Sequence, residues 1–284
     1  MTKRVITGAL FAVLMLAGVL MQGWVMLALL AVAMIIATHE MYAAFENAGT
    51  KPVKWPGYLF CLLATAAQAL EIFVSGDIQL QLAALLVSAM LGMAKLVLEG
   101  RIAVERMVAT VFPMLYPGIF FLGLMALNAL ENRAAATAAL VIALFAASIN
   151  DVFALLSGMF FGKHKLSPEL SPKKTIEGSI GGMIFCIAFC MAVPALLKLI
   201  FSADAAFIAQ MAELPPLWSF GLLGLVAGAF SQIGDLTASM IKRHCGVKDY
   251  GKLLPGHGGI MDRMDGVLFC GAACYVFFKI AGLG

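Results

Sequence analysis

The sequence predicts an all-α, polytopic integral membrane protein of about nine transmembrane helices, with a cytoplasmic N-terminus and the C-terminus outside. Three observations predict it. Of 284 residues, 62% are hydrophobic and 12% charged, with a mean hydropathy of +0.98. Soluble domains carry about 45–50% apolar and about 25% charged residues. The apolar residues fall into runs close to the ~20 residues that cross a bilayer. Lysine and arginine gather in alternate breaks between the runs, which is the positive-inside pattern.

Taken in order, the runs cover about 5–21, 24–45, 57–74, 78–98, 107–130, 138–162, 178–201, 217–242 and 264–283. Lys3 and Arg4 precede the first, but no small-residue cleavage site follows, so no cleavable signal is expected. The first two runs part at Gln22-Gly23. Merged, they would make one helix of about 60 Å, twice the hydrocarbon core, so a tight hairpin is expected. His39 and Glu40 end the second run, where a contact with lipid headgroups accounts for them. Pro113, Pro117 and Gly118 should kink the fifth. With the N-terminus inside, the cytoplasmic breaks hold 15 of the 19 lysines and arginines. Loops 163–177 and 243–263 then face the cytoplasm, and 202–216 faces out. That outer segment carries Phe207, Ile208, Met211 and Leu214 at helical spacing and is an interfacial helix or a plain loop. By organisation the chain reads as N-terminal helices over 1–100, middle helices with the kinked span over 101–149, and the chemically equipped region over 150–284. No internal repeat or low-complexity linker is present.

The six cysteines form no disulfide framework. Cys186/Cys190 and Cys270/Cys274 sit four apart inside apolar runs, where cysteine is a small apolar filler. The net charge of +3 says little by itself, and nothing calls for nucleic acid.

The charges concentrate in Ser239–Asp265, which holds Lys242, Arg243, Lys248, Lys252, Arg263, Asp249, Asp262, Asp265, His244 and His257, broken up by five glycines and Pro255. Glycines let a backbone approach a ligand closely. Lysine and arginine hold phosphate oxygens, and carboxylates hold the Mg²⁺ that travels with nucleotide phosphates. The stretch therefore reads as a phosphate-and-metal site at the mouth of a membrane protein. Asp235 lies seven residues before Lys242, about 10 Å along the helix, with Ser231, Gln232 and Ser239 on its face. That polar stripe points into the bilayer from the charged loop. A helix–helix hydrogen bond is the bland alternative. Asp151, beside Asn150 and Ser148, suits a deep cavity or helix packing equally. Asp262 and Asp265, three apart where the last span begins, favour an anion-binding or metal role, against plain capping for Asp262. His257, between glycines, could touch phosphate or act as an acid or base, although a lone loop histidine is usually neither. In the loop GKHKLSPELSPKKTIEG, Ser171-Pro172 should start a turn, followed by Lys173, Lys174 and Thr175 at a helix start, an arrangement that suits a nucleoside triphosphate.

Ser239-Met-Ile-Lys-Arg, Lys248-Asp249 and Pro255-Gly-His-Gly-Gly-Ile-Met-Asp-Arg-Met-Asp265 resemble the signature of phosphatidate cytidylyltransferases (CDP-diacylglycerol synthases). Ser231-Gln-Ile-Gly-Asp-Leu236 and Ser171-Pro-Lys-Lys-Thr-Ile-Glu-Gly178 resemble the same family. The likeness is strong over about 150–284 and rests on hydropathy alone in the first hundred residues. The family usually follows its span-6 aspartate with a small residue and a tyrosine, whereas here Val152 and Phe153 follow Asp151.

The resemblance implies transfer of the cytidylyl group of CTP to phosphatidic acid, giving CDP-diacylglycerol and pyrophosphate in phospholipid biosynthesis. It implies Mg²⁺, with a monovalent cation such as K⁺ beside it, at the cytoplasmic side of the inner (plasma) membrane. It suggests a homodimer. Asp235, Asp262, Asp265 and Asp249 would be the metal carboxylates. Asp235, Asp262, Asp265, Lys242 and Arg263 would be catalytic. Ser171, Lys174, Thr175, Ser239, Arg243, Lys248 and His257 would bind substrate. The rivals are an ion-coupled transporter, which should show inverted repeats, a CTP-dependent polyprenol kinase, which should lack the full Gly-His-Gly-Gly-x-x-Asp-Arg-x-Asp order, and a scaffold, which needs no such loop.

Overall fold

The protein is described from a computed structural model, which covers residues 2–74, 79–100, 104–254, 256 and 258–283. Its helices are α1 (Thr2–Met21), α2 (Gly23–Asn47), α3 (Trp55–Val74), α4 (Gln79–Leu98), α5 (Val104–Pro113), α6 (Phe120–Asn128), α7 (Arg133–Phe161), α8 (Ile176–Ile200), α9 (Ala205–Met211), α10 (Leu217–His244) and α11 (Met261–Ile280). A π-helical turn, Met114–Ile119, joins α5 to α6. Strands β1 (Lys165–Ser167) and β2 (Ser171–Thr175) pair antiparallel between α7 and α8.

Six helical stretches among the described residues are long and apolar enough to cross a membrane: Gly23–Asn47, Leu80–Leu98, Val104–Asn128, Arg133–Phe161, Ile176–Ile200 and Leu217–His244. Ala12–Met21 and Trp55–Leu70 are apolar but shorter. The last helix, α11, is interrupted by charge at both ends, with Asp262, Arg263 and Asp265 at its start and Lys279 at its finish. Ile184, Leu199 and Ile200 on α8, and Met90 and Val97 on α4, stand exposed. Such faces suit lipid rather than water.

The chain forms two compact units. The first comprises residues up to Ala129 together with Ile241–Met264, and α2 is its centre. Met26, Leu30, Met34, Met41 and Tyr42 of α2 are fully buried. α1 and α2 part at Gln22, whose φ of 48° no helix continues through. Asn128 Nδ2 donates to Gly23 O (2.9 Å), which ties α6 to the start of α2. The proline kink falls in the π-helical turn, where Tyr116 leaves helical geometry (φ −133°, ψ 111°). Tyr42 Oη donates to Thr110 O (2.9 Å), and Thr110 Oγ1 accepts from Val53 N (3.0 Å), so α2, α5 and the α2–α3 connection are knitted together.

The second unit comprises Leu130–Met240 and Asp265 onward. Its helices meet at small residues. A Cβ on Gly178 or Gly182 of α8 would lie 2.6 Å from the Ala154 or Asn150 carbonyl of α7. A Cβ on Gly224 of α10 would lie 2.6 Å from Ile187 Cα of α8. Such Gly-x-x-x-Gly spacing lets helix backbones approach within a bilayer, where dispersion contacts drive association. The segment 202–216 contains a short helix, α9. Asp204 caps it by accepting from Phe207 N (3.0 Å), and Phe207 is buried against Phe201 rather than presented to an interface. All six cysteines are free and buried, as expected of apolar fillers.

Candidate functional site

In the first unit the charged segment is shaped by its backbone. α10 ends in a Schellman motif: Gly246, at φ 66°, donates to Arg243 O (3.2 Å), and Val247 N donates to Lys242 O (3.0 Å). Lys242 and Arg243 thus lie in the last turn, where the dipole favours cations. Burial pushes the Cys245 thiol up from its ordinary pKa. The chain then runs to a one-residue bridge, with Leu254 N donating to Gly258 O (2.9 Å), and enters α11.

Asp262 gathers this loop. Its Oδ2 accepts from Tyr250 N (2.8 Å) and Gly259 N (2.9 Å), and its Oδ1 accepts from Lys242 Nζ (2.9 Å). Lys242 Nζ also lies 5.4 Å from the Tyr250 ring centroid. The two side chains are 14% and 4% exposed, so this is a buried pair. Arg243, Lys248, Asp249 and Arg263 are exposed around it. His257, the predicted phosphate contact, lies outside the described residues.

Glu40 is the residue that sequence reasoning misplaced. Read as a headgroup contact, it is instead 5% exposed, and its carboxylate accepts from Ile260 N (3.1 Å) and Met261 N (2.8 Å), the free amides at the start of α11. The sequence signal was a carboxylate five residues before the end of an apolar run, and by itself it does not distinguish a surface charge from an anchor. Beyond it, Asn47 Nδ2 donates to Cys245 O (2.8 Å).

In the second unit, Ser171-Pro172 does not start a turn. The turn falls at Pro168–Leu170, and Ser171 and Pro172 open β2, a strand-end position that tolerates proline. The register pairs Lys165 with Thr175 and Ser167 with Ser171. Glu177, which was not among the predicted site residues, closes the hairpin base. It accepts from Lys163 N (3.0 Å) and His164 N (3.2 Å) and meets His164 Nδ1 at 2.6 Å. Thr175 Oγ1 caps α8, accepting from Gly178 N (3.2 Å). Lys174 Nζ donates to Asp235 Oδ2 of α10, and each side chain is about a quarter exposed (27% and 25%). Ser171 and Ser239 are half-buried, the latter one turn beyond Asp235. Asp265 is buried, and its Oδ1 accepts from Gly266 N (2.7 Å).

The inner end of the polar stripe is helix packing. Gln232 Nε2 donates to Asn150 Oδ1 (3.2 Å) and Ser179 O (3.1 Å), Gln232 also bonds Ser179 Oγ, and Ser231 Oγ donates to Gly228 O (3.0 Å). Gln232 thereby joins α7, α8 and α10, because polar groups inside a bundle must be satisfied by other helices. Asp151, beside buried Asn150, is exposed.

The structure therefore brings together Lys242 with Asp262, and Lys174 with Asp235. Each carboxylate meets an ammonium group. Among the described residues, no three His, Cys, Asp or Glu side chains gather so as to hold a metal by themselves. Mg²⁺ is commonly held by one or two carboxylates plus substrate phosphates. Asp235, a hard oxygen donor a quarter exposed, fits that requirement. Asp262 fits it less readily, since both its oxygens already take protein donors.

Residues 2–281 match the model of a family described as the cytidylyltransferase family. Among curated proteins, the chain is 33% identical to "Phosphatidate cytidylyltransferase 4, chloroplastic" of Arabidopsis thaliana, over 98% of this chain and 73% of that protein. It is 30% identical to "Phosphatidate cytidylyltransferase 5, chloroplastic" of the same plant, over 93% and 68%. A phosphatidate cytidylyltransferase of Brucella abortus is 44% identical over a shorter stretch, 28% of this chain and 29% of that protein.

Proposed function

This chain belongs to the cytidylyltransferase family, and from that premise we propose that it transfers the cytidylyl group of CTP to phosphatidic acid, releasing pyrophosphate and forming CDP-diacylglycerol. The observation that carries the reading is the extent of the family match, residues 2–281, which takes in every charged residue of both clusters. The apolar helices make the chain a membrane protein. Nine spans, an N-terminus in the cytoplasm, a place in the inner (plasma) membrane and a reaction at its cytoplasmic face complete the reading. The distribution of lysine and arginine supports the spans and the orientation.

Phosphatidate is a phosphomonoester whose second pKa lies near 6, so it arrives largely as a dianion and needs no general base. One of its oxygens attacks the α-phosphorus of CTP in line, a new P–O bond forms, and the bond to the β-phosphate oxygen breaks with its electron pair leaving on pyrophosphate. Such transfer depends on positioning and charge neutralisation. Lys174, Lys242, Arg243, Lys248 and Arg263 neutralise phosphate oxygens. Ser171, Ser239 and His257 donate hydrogen bonds, and Thr175 holds the start of α8 that carries the hairpin. Lys174 and Lys242 each also pair with a carboxylate, Asp235 and Asp262 respectively. Asp235 would hold Mg²⁺, with Asp262, Asp265 and Asp249 as the further carboxylates and K⁺ as the accompanying cation. When bound, the ions supply positive charge to the phosphates. A homodimer is part of the same reading.

The test is turnover by purified protein in detergent with phosphatidate, radiolabelled CTP and Mg²⁺, with an EDTA control. Metal-dependent labelling of lipid is expected. Folded protein that yields no labelled lipid but phosphorylates polyprenols would overturn the reading.

A further inference from the structure

The charged segment that closes the first unit is held at both ends by one helix from the opposite end of the sequence. Asn47 Nδ2 donates to Cys245 O where the segment leaves α10, and Glu40 accepts from Ile260 N and Met261 N where it enters α11. Glu40 and Asn47 are seven residues apart on and just at the end of α2, two turns along one face, so a rigid ruler of about 10 Å sets the spacing of the segment's two ends. We propose that Glu40 is a positioning residue for the cytidylyl-transfer reaction, fixing the loop that carries Lys242, Tyr250 and Asp262, and that Asn47 is its second anchor.

Two glycines of the charged segment support this from the other side. A Cβ on Gly251 would lie 2.7 Å from Glu40 Cδ, and one on Gly259 would run into the same carboxylate. Both backbones therefore wall the pocket that Glu40 fills. Close approach of a backbone to a ligand was the sequence-level reason for glycine here, and at these two positions the group approached is a side chain of the protein itself. Gly259 also ends the chain of contacts at Asp262, because its N–H donates to Asp262 Oδ2 while its Cα faces Glu40. A carboxylate takes both helix-start amides at once, whereas an amide offers one acceptor and would turn an N–H against the other.

The inference rests on the proposed reaction for its kinetic arm only. Full-length wild type, Glu40→Gln, Glu40→Ala, Asn47→Ala and Gly251→Ala are compared in detergent. In turnover with CTP and phosphatidate, both Glu40 variants are expected to lose at least about tenfold in kcat, with each KM within about threefold. Asn47→Ala should lose about two- to fivefold. In limited trypsin digestion, cleavage after the exposed Lys248 and Lys252 is expected to quicken at least about fivefold in the Glu40 variants, while cleavage after the exposed Lys173 of the hairpin stays at the wild-type rate. Gly251→Ala should reproduce the Glu40→Ala effects alone and add nothing further in the Glu40→Ala background, where the carboxylate is gone. Wild-type kcat and wild-type loop cleavage in either Glu40 variant would overturn the proposal. Should Glu40→Ala fail to accumulate, Glu40→Gln and Gly251→Ala decide it. If the wild type shows no turnover with these substrates, the reaction falls and the digestion pattern alone decides the anchor.

Discussion

Replacing Asp262 by alanine should cost stability as well as activity, and the structure gives the size of the cost. The carboxylate satisfies two backbone amides, Tyr250 N and Gly259 N, and one ammonium, Lys242 Nζ. An amide left buried without a partner costs about 1–3 kcal/mol. Breaking a fully buried ion pair costs about 3–5 kcal/mol, but Lys242 retains some exposure and can turn outward, so only the lower part of that range applies. The amides can recover part of their loss from water once the loop loosens. A net destabilisation of about 3–5 kcal/mol is expected. At roughly 2–4 °C per kcal/mol for a chain of this order of size, the apparent Tm should fall by at least about 6 °C. The assay is a thermal scan of purified protein in one detergent at one scan rate, since membrane proteins commonly unfold irreversibly. Asp262→Asn, which keeps the shape and one acceptor, should fall between alanine and wild type. An alanine variant melting within about 2 °C of wild type would refute the reasoning, and the carboxylate would then be holding nothing together.

Asp235 should behave differently. Its pair with Lys174 is a quarter exposed on each side, so Asp235→Asn should shift the melting point by no more than about 2 °C while turnover falls at least about a hundredfold. Lys242→Ala should raise KM for CTP or phosphatidate, read from initial rates at varied substrate, and unchanged constants for both would count against its phosphate role. Gly224→Leu places a branched side chain where even a Cβ would lie 2.6 Å from Ile187 Cα, and it should destabilise by about 1–3 kcal/mol or more in the same thermal scan. Cys245, buried and with its thiol pushed up, should react with a maleimide at pH 7.5 far more slowly than it does after denaturation, measured by mass shift.

Much of the helical layout is legible because hydropathy and charge act locally. The break at Gln22, the kink between Pro113 and Pro117 and the buried cysteines all follow from the residues that stand there. The hairpin was not legible, because Ser171-Pro172 is as good a turn opener as a strand opener. The choice was made by contacts the local sequence does not contain, namely Glu177 on the amides of Lys163 and His164 and Lys174 on Asp235. The polar stripe of α10 was read as one feature, yet only its Asp235–Ser239 part is open. Gln232 is consumed by helix packing, which depends on where Asn150 and Ser179 arrive, and Ser231 bonds back to Gly228 of its own helix. Glu40 was illegible for the same reason in stronger form: its partners lie 220 and 221 residues away.

That separation has a temporal side. α2 is made early and Ile241–Met264 late, with about 200 residues between them. At roughly 5–20 residues per second of synthesis, Glu40 and Asn47 wait about 10–40 s for the amides and carbonyl they hold. During that interval a carboxylate near a membrane interface has only water, headgroups or the insertion machinery to satisfy it. The first unit therefore cannot close until Ile241–Met264 has been translated, and a chain arrested before residue 241 would carry an incomplete first unit beside α2.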